Sequence, residues 1–290
     1  MDETGRARWM VLAAALSFST GGAVIKLCGW QGLQVAGGRS LLAAFVLLAL
    51  VPETRGGWTR RTALVSVAYA MTLFLFVLSN KMTTAANAII LQSTSPFYVL
   101  LLSPRLLGET RRRDDVVVIG VMAVGMSLFA FSGDSASAIA TNPGLGNTLA
   151  LASGLSWAFT VMGFRWLSRH GEAGGAESAA VMGNLLVAAV ALPWVGRGMV
   201  LGGPVDWACI AWLGAVQIGL SYILVSRGMR KVDALEASIL LMAEPALSPF
   251  WAWWVHGERP APFAVAGGVV LIGALVGRAI VDRARRVAVP

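Results

Sequence analysis

The sequence predicts an all-α integral membrane protein whose ten transmembrane helices form two inverted five-helix repeats around a central cavity. Three observations predict this class. Hydrophobic residues make up 57% of the 290 residues and charged residues only 13%, whereas a soluble domain carries roughly 25% charged residues. Apolar stretches of membrane-spanning length follow one another along the chain, with short polar links between them. The second half of the chain also repeats features of the first.

Each apolar stretch is long enough to cross a bilayer core of roughly 30 Å as a helix. Lipid offers the backbone no hydrogen-bond partners, so these stretches are expected to be helical. The links between them hold most of the charges and helix breakers, and none is long enough for a separate soluble domain. The predicted spans are residues 8–27, 33–51, 62–80, 84–104, 115–132, 145–167, 178–196, 206–226, 233–255 and 262–281.

Lysine and arginine are distributed unevenly between alternate links. With the N-terminus in the cytoplasm, the cytoplasmic side receives all of them except Lys26, Arg39, Lys81, Arg197 and Arg259. Positively charged links stay on the cytoplasmic side of a membrane. We therefore expect a multi-pass protein of the cell inner membrane with both termini in the cytoplasm. We attribute the net charge of +8 to the basic links that set the orientation in the membrane, and we expect no nucleic-acid partner.

Two segments of the first half of the chain recur, with substitutions, in the second half. Residues 85–109, "AANAIILQSTSPFYVLLLSPRLLGE", align without gaps with residues 234–258, "ALEASILLMAEPALSPFWAWWVHGE". The alignment pairs Pro96 with Pro245, and both segments end in Gly-Glu. Likewise "LAAALSF" (12–18) mirrors "LASGLSW" (151–157), and Lys26 and Arg165 follow at matching distances. The repeated unit therefore has five spans.

An odd number of spans places the second copy in the membrane upside down relative to the first. Such inverted repeats exchange an inward-open and an outward-open state, with the substrate site near the midplane where helices are interrupted. We predict a first repeat at residues 1–135, a second, inverted repeat at residues 145–282, and a cytoplasmic tail at residues 283–290.

These features together resemble a known family of transporters. Ten spans, the five-plus-five repeat and a span with an internal proline that closes in Gly-Glu are similar to the drug/metabolite transporter superfamily, and most of all to its EamA-type branch. The resemblance covers about residues 8–281, and its most specific part is Glu244-Pro245 with Gly257-Glu258. It departs at Ser95, which stands where the second repeat has Glu244. Within that branch the sequence looks most like bacterial exporters of aromatic and other neutral amino acids, which implies the export direction.

Glu244 and Pro245 form a polar, bent place in the ninth span. A charge at a helix centre costs about 2.5–3.5 kcal/mol on translocon scales. Pro245 leaves the carbonyl of Leu241 without its usual donor. The carboxylate is expected either to contact the ammonium group of a substrate or to take and release a proton. The alternative is a structural tie to neighbouring helices that holds the bend.

The other candidate site residues are polar or aromatic side chains within the spans. In the fourth span, three of them lie close to one helical face, where they either line a cavity or bond to other helices. Trp157 is mid-span and offers an aromatic wall. The predicted cavity lining is Glu244, Asn87, Ser95, Tyr98, Trp157, Phe18, Gln217 and Tyr222, with Pro96 and Pro245 as helix breaks that gate movement.

Other chemistry finds little support in the sequence. Arg39 lies one to two turns inside the second span and is expected to snorkel outward, which leaves no cation at a span centre and argues against an anionic substrate. Cys28 and Cys209 are isolated, as are His170 and His256, so neither a disulfide nor a metal site is expected. No P-loop or zinc-protease motif occurs, and we expect no cofactor and no enzymatic activity.

The sequence therefore predicts an alternating-access exporter of small neutral or zwitterionic metabolites, most of all amino acids. It leaves open whether transport is facilitated or proton-coupled. One alternative is a multidrug exporter for lipophilic cations, with Glu244 as the counter-charge. An alternative from another functional class is an intramembrane lipid-modifying enzyme or scaffold. The expected partners are a small-molecule substrate and the bilayer. The oligomeric state is not determined by the sequence, which is compatible with a monomer.

Overall fold

The computed structural model describes residues 3–83, 85–110, 112–130, 141–171, 174–194, 202–257 and 262–288, and none of these residues forms a strand. The helices group into ten segments at the positions of the predicted spans, which confirms the all-α class. The first five spans are Glu3–Ser19 with Gly21–Leu27, Gly32–Leu50, Arg60–Met82, Ala85–Gln92 with Ser95–Leu106, and Arg113–Ala130. The second five are Pro143–Arg169, Gly175–Ala191, Pro204–Ala211 continuing through Trp212–Leu220 and Ser221–Gly228, Ala234–Leu241 with Ala243–His256, and Pro262–Ala288.

Length and apolarity alone qualify five of these segments to cross a membrane: Glu3–Leu27, Gly32–Leu50, Arg60–Met82, Gly175–Trp194 and Pro204–Gly228. Large apolar side chains cover the outside of the bundle, among them Phe45, Leu64, Val117 and Trp254. An apolar surface of this extent suits contact with lipid rather than water. The predicted end of the first repeat, residue 135, lies outside the described residues.

The packing of the spans follows the sequence repeat. The third span packs chiefly on the sixth and seventh, and its counterpart, the eighth, packs on the first and second. The fourth span contacts the sixth, as the ninth contacts the first, while the fifth and tenth lie side by side. Most contacts therefore join one half of the chain to the other. The two repeats interleave, and the space between them is the centre of the bundle.

Both spans with an internal proline are broken, not merely bent. Ser93 and Thr94 separate the two helices of the fourth span, and Met242 separates those of the ninth. Pro96 and Pro245 lie in the first turn of the second helix in each span. A proline is well tolerated at that place, because the first backbone N–H groups of a helix have no intrahelical acceptor.

The break in the fourth span lies directly against the sixth span. A Cβ atom on Gly154 would come within 2.8 Å of the carbonyl oxygen of Gln92 and 3.0 Å of the hydroxyl of Thr94. Real Cβ atoms do not approach a backbone oxygen so closely. Glycine at this position therefore lets the broken helix end against its neighbour, and it sets the position of Gln92.

A buried carboxylate ties the two halves together at the predicted cytoplasmic end. Glu109, which follows the fourth span, is 6% exposed. Arg165 donates from Nε to its Oε1 atom at 3.0 Å, and Arg169 lies 3.0 Å from the same oxygen. The backbone N–H of Ala234 donates to Oε2 at 3.1 Å. Arg165 also donates to the carbonyl of Met229 at 2.8 Å, so the end of the fourth span is held by residues of the sixth, eighth and ninth spans.

Candidate functional site

Two adjacent chambers lie at the centre of the bundle, beside the breaks in the fourth and ninth spans. The space in and around them that is not filled by atoms is about 350 Å³ for the first and about 230 Å³ for the second, and it includes space open to the outside. Gln92, Trp157 and Glu244 border both chambers. The first chamber is lined by Phe18, Arg39, Thr72, Leu73, Phe76, Gln92, Trp157, Gln217, Tyr222 and Glu244. The second is lined by Gln92, Ser93, Ser95, Trp157, Ser238, Leu241, Met242 and Glu244.

Glu244 faces both chambers from the start of the helix Ala243–His256. The N-terminal end of a helix is where its dipole favours a negative charge. The Ser248 hydroxyl donates to the backbone carbonyl of Glu244 at 2.8 Å, so it does not occupy the carboxylate. The carboxylate forms no ion pair with any residue that the structure describes. It is therefore accessible to whatever enters the chambers.

Arg39 lines the first chamber and is 1% exposed, so it does not snorkel to the membrane surface as the sequence analysis expected. Its guanidinium donates to Gln217 Oε1 at 3.4 Å and to the carbonyl of Leu73 at 3.3 Å. Its Nε–H is buried without an acceptor, and no carboxylate pairs with it among the described residues. The side chain points into the bundle, where long bonds to neutral groups leave most of its charge uncompensated.

The partner of Arg39, Gln217, sits in a widened turn of the eighth span. Residues Trp212–Leu220 form a π-helix, a rare conformation that often marks functional sites. The first span is interrupted opposite this turn. At the interruption, a Cβ atom on Gly21 would lie 2.8 Å from Gln217 Nε2. The widened turn and the glycine together place the Gln217 amide between the first span and Arg39.

Aromatic rings form the wall of the first chamber. Phe18 meets Trp157 at a centroid distance of 6.0 Å and Tyr222 at 5.2 Å, both edge to face. Tyr69 packs behind them, 4.6 Å from Tyr222, and its hydroxyl accepts a hydrogen bond from Asn184 at 2.8 Å. Phe18 and Trp157 occupy equivalent positions in the sequence repeat. The wall is therefore built by both halves of the chain at their interface.

The structure brings most of the predicted lining residues together. Five of them line the first chamber: Phe18, Trp157, Gln217, Tyr222 and Glu244. Ser95 lines the second, together with Glu244 and Trp157. Asn87 and Tyr98 are among the lining residues of neither chamber, and Tyr98 packs against the hydrophobic core. Pro96 and Pro245 sit just beyond the two helix breaks.

Sequence reasoning did not select several lining residues. Two of them could have been selected from the sequence. Arg39 is a charged residue inside a span, which is costly without a partner, and Gln92 belongs to the polar cluster before Pro96. Thr72, Leu73 and Phe76 carry no such signal, since any apolar or hydroxyl side chain in a span looks the same in sequence. Among the described residues there is no group of His, Cys, Asp or Glu that could hold a metal ion.

Comparison with known proteins supplies the family. The model of the EamA-like transporter family matches residues 6–131 and again residues 144–278. The chain belongs to the EamA-like transporter family. A relative from Archaeoglobus fulgidus, described as an "Uncharacterized transporter", is 24% identical over 242 residues, which cover 81% of this chain and 83% of the relative. A solved structure described only as "Crystal structure of protein" has a TM-score of 0.75 and 16% identity, and covers 96% of this chain and 97% of that one.

The EamA fold has ten membrane helices in two repeats. The ten spans of this EamA-like protein and their symmetric packing agree with that fold. Family membership also establishes a multi-pass membrane protein related to transporters. The TM-score concerns the fold alone, and the relative's description names no substrate.

Proposed function

We propose that this EamA-like protein is an inner-membrane exporter of zwitterionic metabolites, with neutral and above all aromatic amino acids as cargo. One observation carries the proposal. Arg39 and Glu244 carry charges of opposite sign on the walls of one chamber, and neither forms an ion pair with a residue in the described part of the chain. Two buried charges left in this state are expensive inside a membrane, and a cargo that carries both complementary charges compensates them.

A zwitterion carries a charge complementary to Arg39 and another complementary to Glu244. Its carboxylate fits the planar guanidinium of Arg39, whose parallel N–H groups suit two-pronged contact with a carboxylate. Its ammonium group fits the carboxylate of Glu244. An anion would leave Glu244 uncompensated, and a cation would meet the like charge of Arg39.

The aromatic wall selects the side chain of the cargo. Phe18, Trp157 and Tyr222 present ring edges and faces to the first chamber, and Leu73 and Phe76 add apolar surface. Aromatic pairs gain about 0.5–1.5 kcal/mol beyond the burial of their area. A flat apolar side chain therefore fits better than a polar one.

Alternating access is supported by the inverted repeat, since two interleaved copies can exchange roles between two states of similar energy. Here the Glu109 network holds the predicted cytoplasmic end together. The export direction follows from the resemblance to exporters, and the location in the inner membrane with cytoplasmic termini follows from the distribution of basic residues.

The lipophilic-cation alternative is supported by the same aromatic wall beside Glu244. The buried Arg39 weighs against it, because a cation in this low-dielectric chamber would be repelled. The two functions are separated by the chemistry of the molecules that compete for the site.

Counterflow in liposomes tests the proposal. The purified protein is reconstituted, and exchange of labelled phenylalanine is measured against unlabelled competitors. Phenylalanine should compete well, whereas N-acetyl-phenylalanine, which lacks the ammonium group, and phenylalaninamide, which lacks the carboxylate, should compete poorly. Saturable flux of a cationic dye without amino-acid counterflow would support the multidrug function instead. A chemically altered lipid without any solute flux would support an enzyme.

The variant Arg39→Gln connects this result to the structure. We expect it to weaken phenylalanine binding by about tenfold or more, as for loss of a charged hydrogen-bond partner, and to remove the preference for phenylalanine over phenylalaninamide. Arg60→Gln, an exposed arginine at the start of the third span, is the matched control and should change neither property. An unchanged preference in Arg39→Gln would exclude Arg39 as the carboxylate site.

A further inference from the structure

We propose that the second chamber is a binding site for a small monovalent cation, with Na⁺ as the best match, formed by Glu244 and by hydroxyl and amide oxygens at the two helix breaks. The site lies apart from Arg39 and from most of the aromatic wall. It stands whatever the cargo of the first chamber is.

Oxygen atoms dominate the polar lining of this chamber. Ser95 and Ser238 are 3% and 2% exposed, and both line it. The hydroxyl of Ser238 is buried without any hydrogen-bond partner among the described residues. A buried polar atom without a partner needs a physical reason, and a bound cation that accepts its lone pair supplies one.

Two neighbouring polar side chains also have oxygen atoms available as acceptors. Gln92 donates its amide N–H to Ser153 at 2.8 Å, which leaves its amide oxygen free to accept. Ser93 donates its hydroxyl hydrogen to the carbonyl of Ile89 at 2.7 Å, which leaves its lone pairs. No lysine, arginine or histidine is among the residues that line this chamber. Together with the carboxylate of Glu244, the chamber has a negative, oxygen-rich wall.

The helix breaks also bring the ends of two helices to this chamber. Gln92 and Leu241 are the last residues of the helices Ala85–Gln92 and Ala234–Leu241, and both line the chamber. The last carbonyl groups of a helix lack intrahelical donors and carry partial negative charge. Unwound carbonyls and half-helix ends are a common way for transporters to coordinate a cation at midplane.

The charge of the wall selects a monovalent ion. Only one carboxylate lines the chamber, and sites for Ca²⁺ usually combine several carboxylates or carbonyl oxygens with the ion. A proton would occupy one oxygen of Glu244, and the protonated carboxyl would engage at most one further oxygen of the lining as a hydrogen-bond acceptor. Na⁺ uses a carboxylate, hydroxyls and an amide oxygen together.

Glu244 borders both chambers, so the cation and the cargo draw on one carboxylate. If the proposed function holds, each ligand should weaken the binding of the other, and thermodynamic linkage requires this effect to be reciprocal. Opposed binding of this kind permits the exchange of a cation for the cargo.

Binding of ²²Na⁺ to the purified full-length protein tests the site without any amino acid. At fixed pH and ionic strength, with choline as the replacement cation, we expect saturable binding that Ser238→Ala weakens by about tenfold, the effect of losing one ligand to a charged group. Ser40→Ala is the matched control, because Ser40 is also fully buried without a partner but lines neither chamber. Ser95→Ala provides the same test if Ser238→Ala does not fold.

Two results would overturn the site: no saturable ²²Na⁺ binding, or equal affinity in Ser238→Ala and Ser40→Ala. The test is separable from that of the proposed function. Na⁺ binding without amino-acid counterflow retains the cation site and removes the proposed cargo. Amino-acid counterflow without Na⁺ binding does the reverse.

Discussion

The fourth and ninth spans are two copies of one element, and they differ where function is concentrated. Both are broken just ahead of a proline, and both end in a glycine in the left-handed region, Gly108 at φ 65° and Gly257 at φ 69°. At equivalent positions beside the break, one copy has Ser95 and the other Glu244, and both face the second chamber. The backbone is therefore symmetric, whereas the charge is present in one copy only.

A second difference concerns the helices against which these spans pack. The sixth span meets the fourth at Gly154, where a side chain would strike the carbonyl of Gln92. The equivalent residue in the first span, which packs against the ninth, is Ala15, fully buried. At the break of the fourth span, the neighbouring helix therefore has room for glycine only, whereas the equivalent position next to the ninth span holds an alanine. The charged group is in the other copy, at Glu244.

Exchange of the charged group should have the largest effect. We expect Glu244→Gln to reduce amino-acid counterflow by at least about thirtyfold, as truncation of a buried charged partner costs 2 kcal/mol or more. Ser95→Ala, at the equivalent position, should reduce it by less than about threefold, the loss of one neutral hydrogen-bonding group. Counterflow in liposomes measures both, with thermal unfolding as the check on folding. Equal losses in the two variants would show that the asymmetry has no functional meaning.

Moving the carboxylate from the ninth span to the fourth sharpens this first comparison. The double variant Ser95→Glu with Glu244→Ser keeps one carboxylate beside the second chamber, but Ser95 does not line the first chamber. We therefore expect amino-acid counterflow to stay as low as in Glu244→Gln. Recovery of counterflow would place the cargo's ammonium group in the second chamber.

Substitution of Glu109, the glutamate that follows the fourth span, should have the next largest effect. That effect is on stability. Glu109→Gln removes the buried carboxylate that Arg165 and Arg169 share, while both arginines keep Asp233 as a partner. The loss is that of one buried charged hydrogen-bond partner, which contributes about 1.5–3 kcal/mol. The free energy of unfolding in detergent measures the effect. Glu3→Gln is the control, because the pair of Glu3 with Lys231 is exposed and should contribute no measurable stability. If the Glu109 network contributes no stability, Glu109→Gln and Glu3→Gln will be equally stable.

The packing difference should have the smallest effect. Gly154→Ala forces a methyl group towards the carbonyl of Gln92, and overpacking of this kind typically costs about 1–3 kcal/mol. The reciprocal change, Ala15→Gly, should cost only about 1 kcal/mol, the penalty for glycine within a helix. Thermal unfolding and Na⁺ binding should respond together in Gly154→Ala, because Gln92 borders the second chamber. If Gly154→Ala is as stable as the natural protein, the close approach is not a constraint.

Much of the architecture was predictable because lipid imposes a simple rule on sequence. Every span predicted from apolar length is helical, and most ends agree within about three residues. The exceptions are the start of the first span at Glu3 rather than 8, the end of the seventh span at Ala191 rather than 196, and the end of the tenth at Ala288 rather than 281. The proline positions indicated where spans four and nine are interrupted. The sequence placed the interruption at the proline, whereas the structure places it at Ser93 and Thr94 and at Met242, because proline is well accommodated in the first turn of the following helix.

The site was harder to predict. Glu244, Ser95 and Trp157 stood out because polar or bulky groups in mid-span need an explanation. Arg39 was assigned to the membrane surface because distance along one helix does not reveal which way a side chain points. Asn87 was expected to share a helical face with Ser95, but the break at Ser93 and Thr94 interrupts the helical period between them. Tyr98 lies in the same helix as Ser95 and packs against the hydrophobic core instead.

The sequence by itself determined the membrane class, the spans, their inverted repetition and the presence of one acidic group at a helix break, because each of these is a local property of composition and order along the chain. Only the tertiary structure decided that Arg39 turns inward to the chamber that Glu244 also lines, and that a second, oxygen-rich chamber lies beside it. Those arrangements depend on how five helices of one half pack between five of the other. Residues far apart in the chain meet there, and nothing in their local sequence records the distance between them.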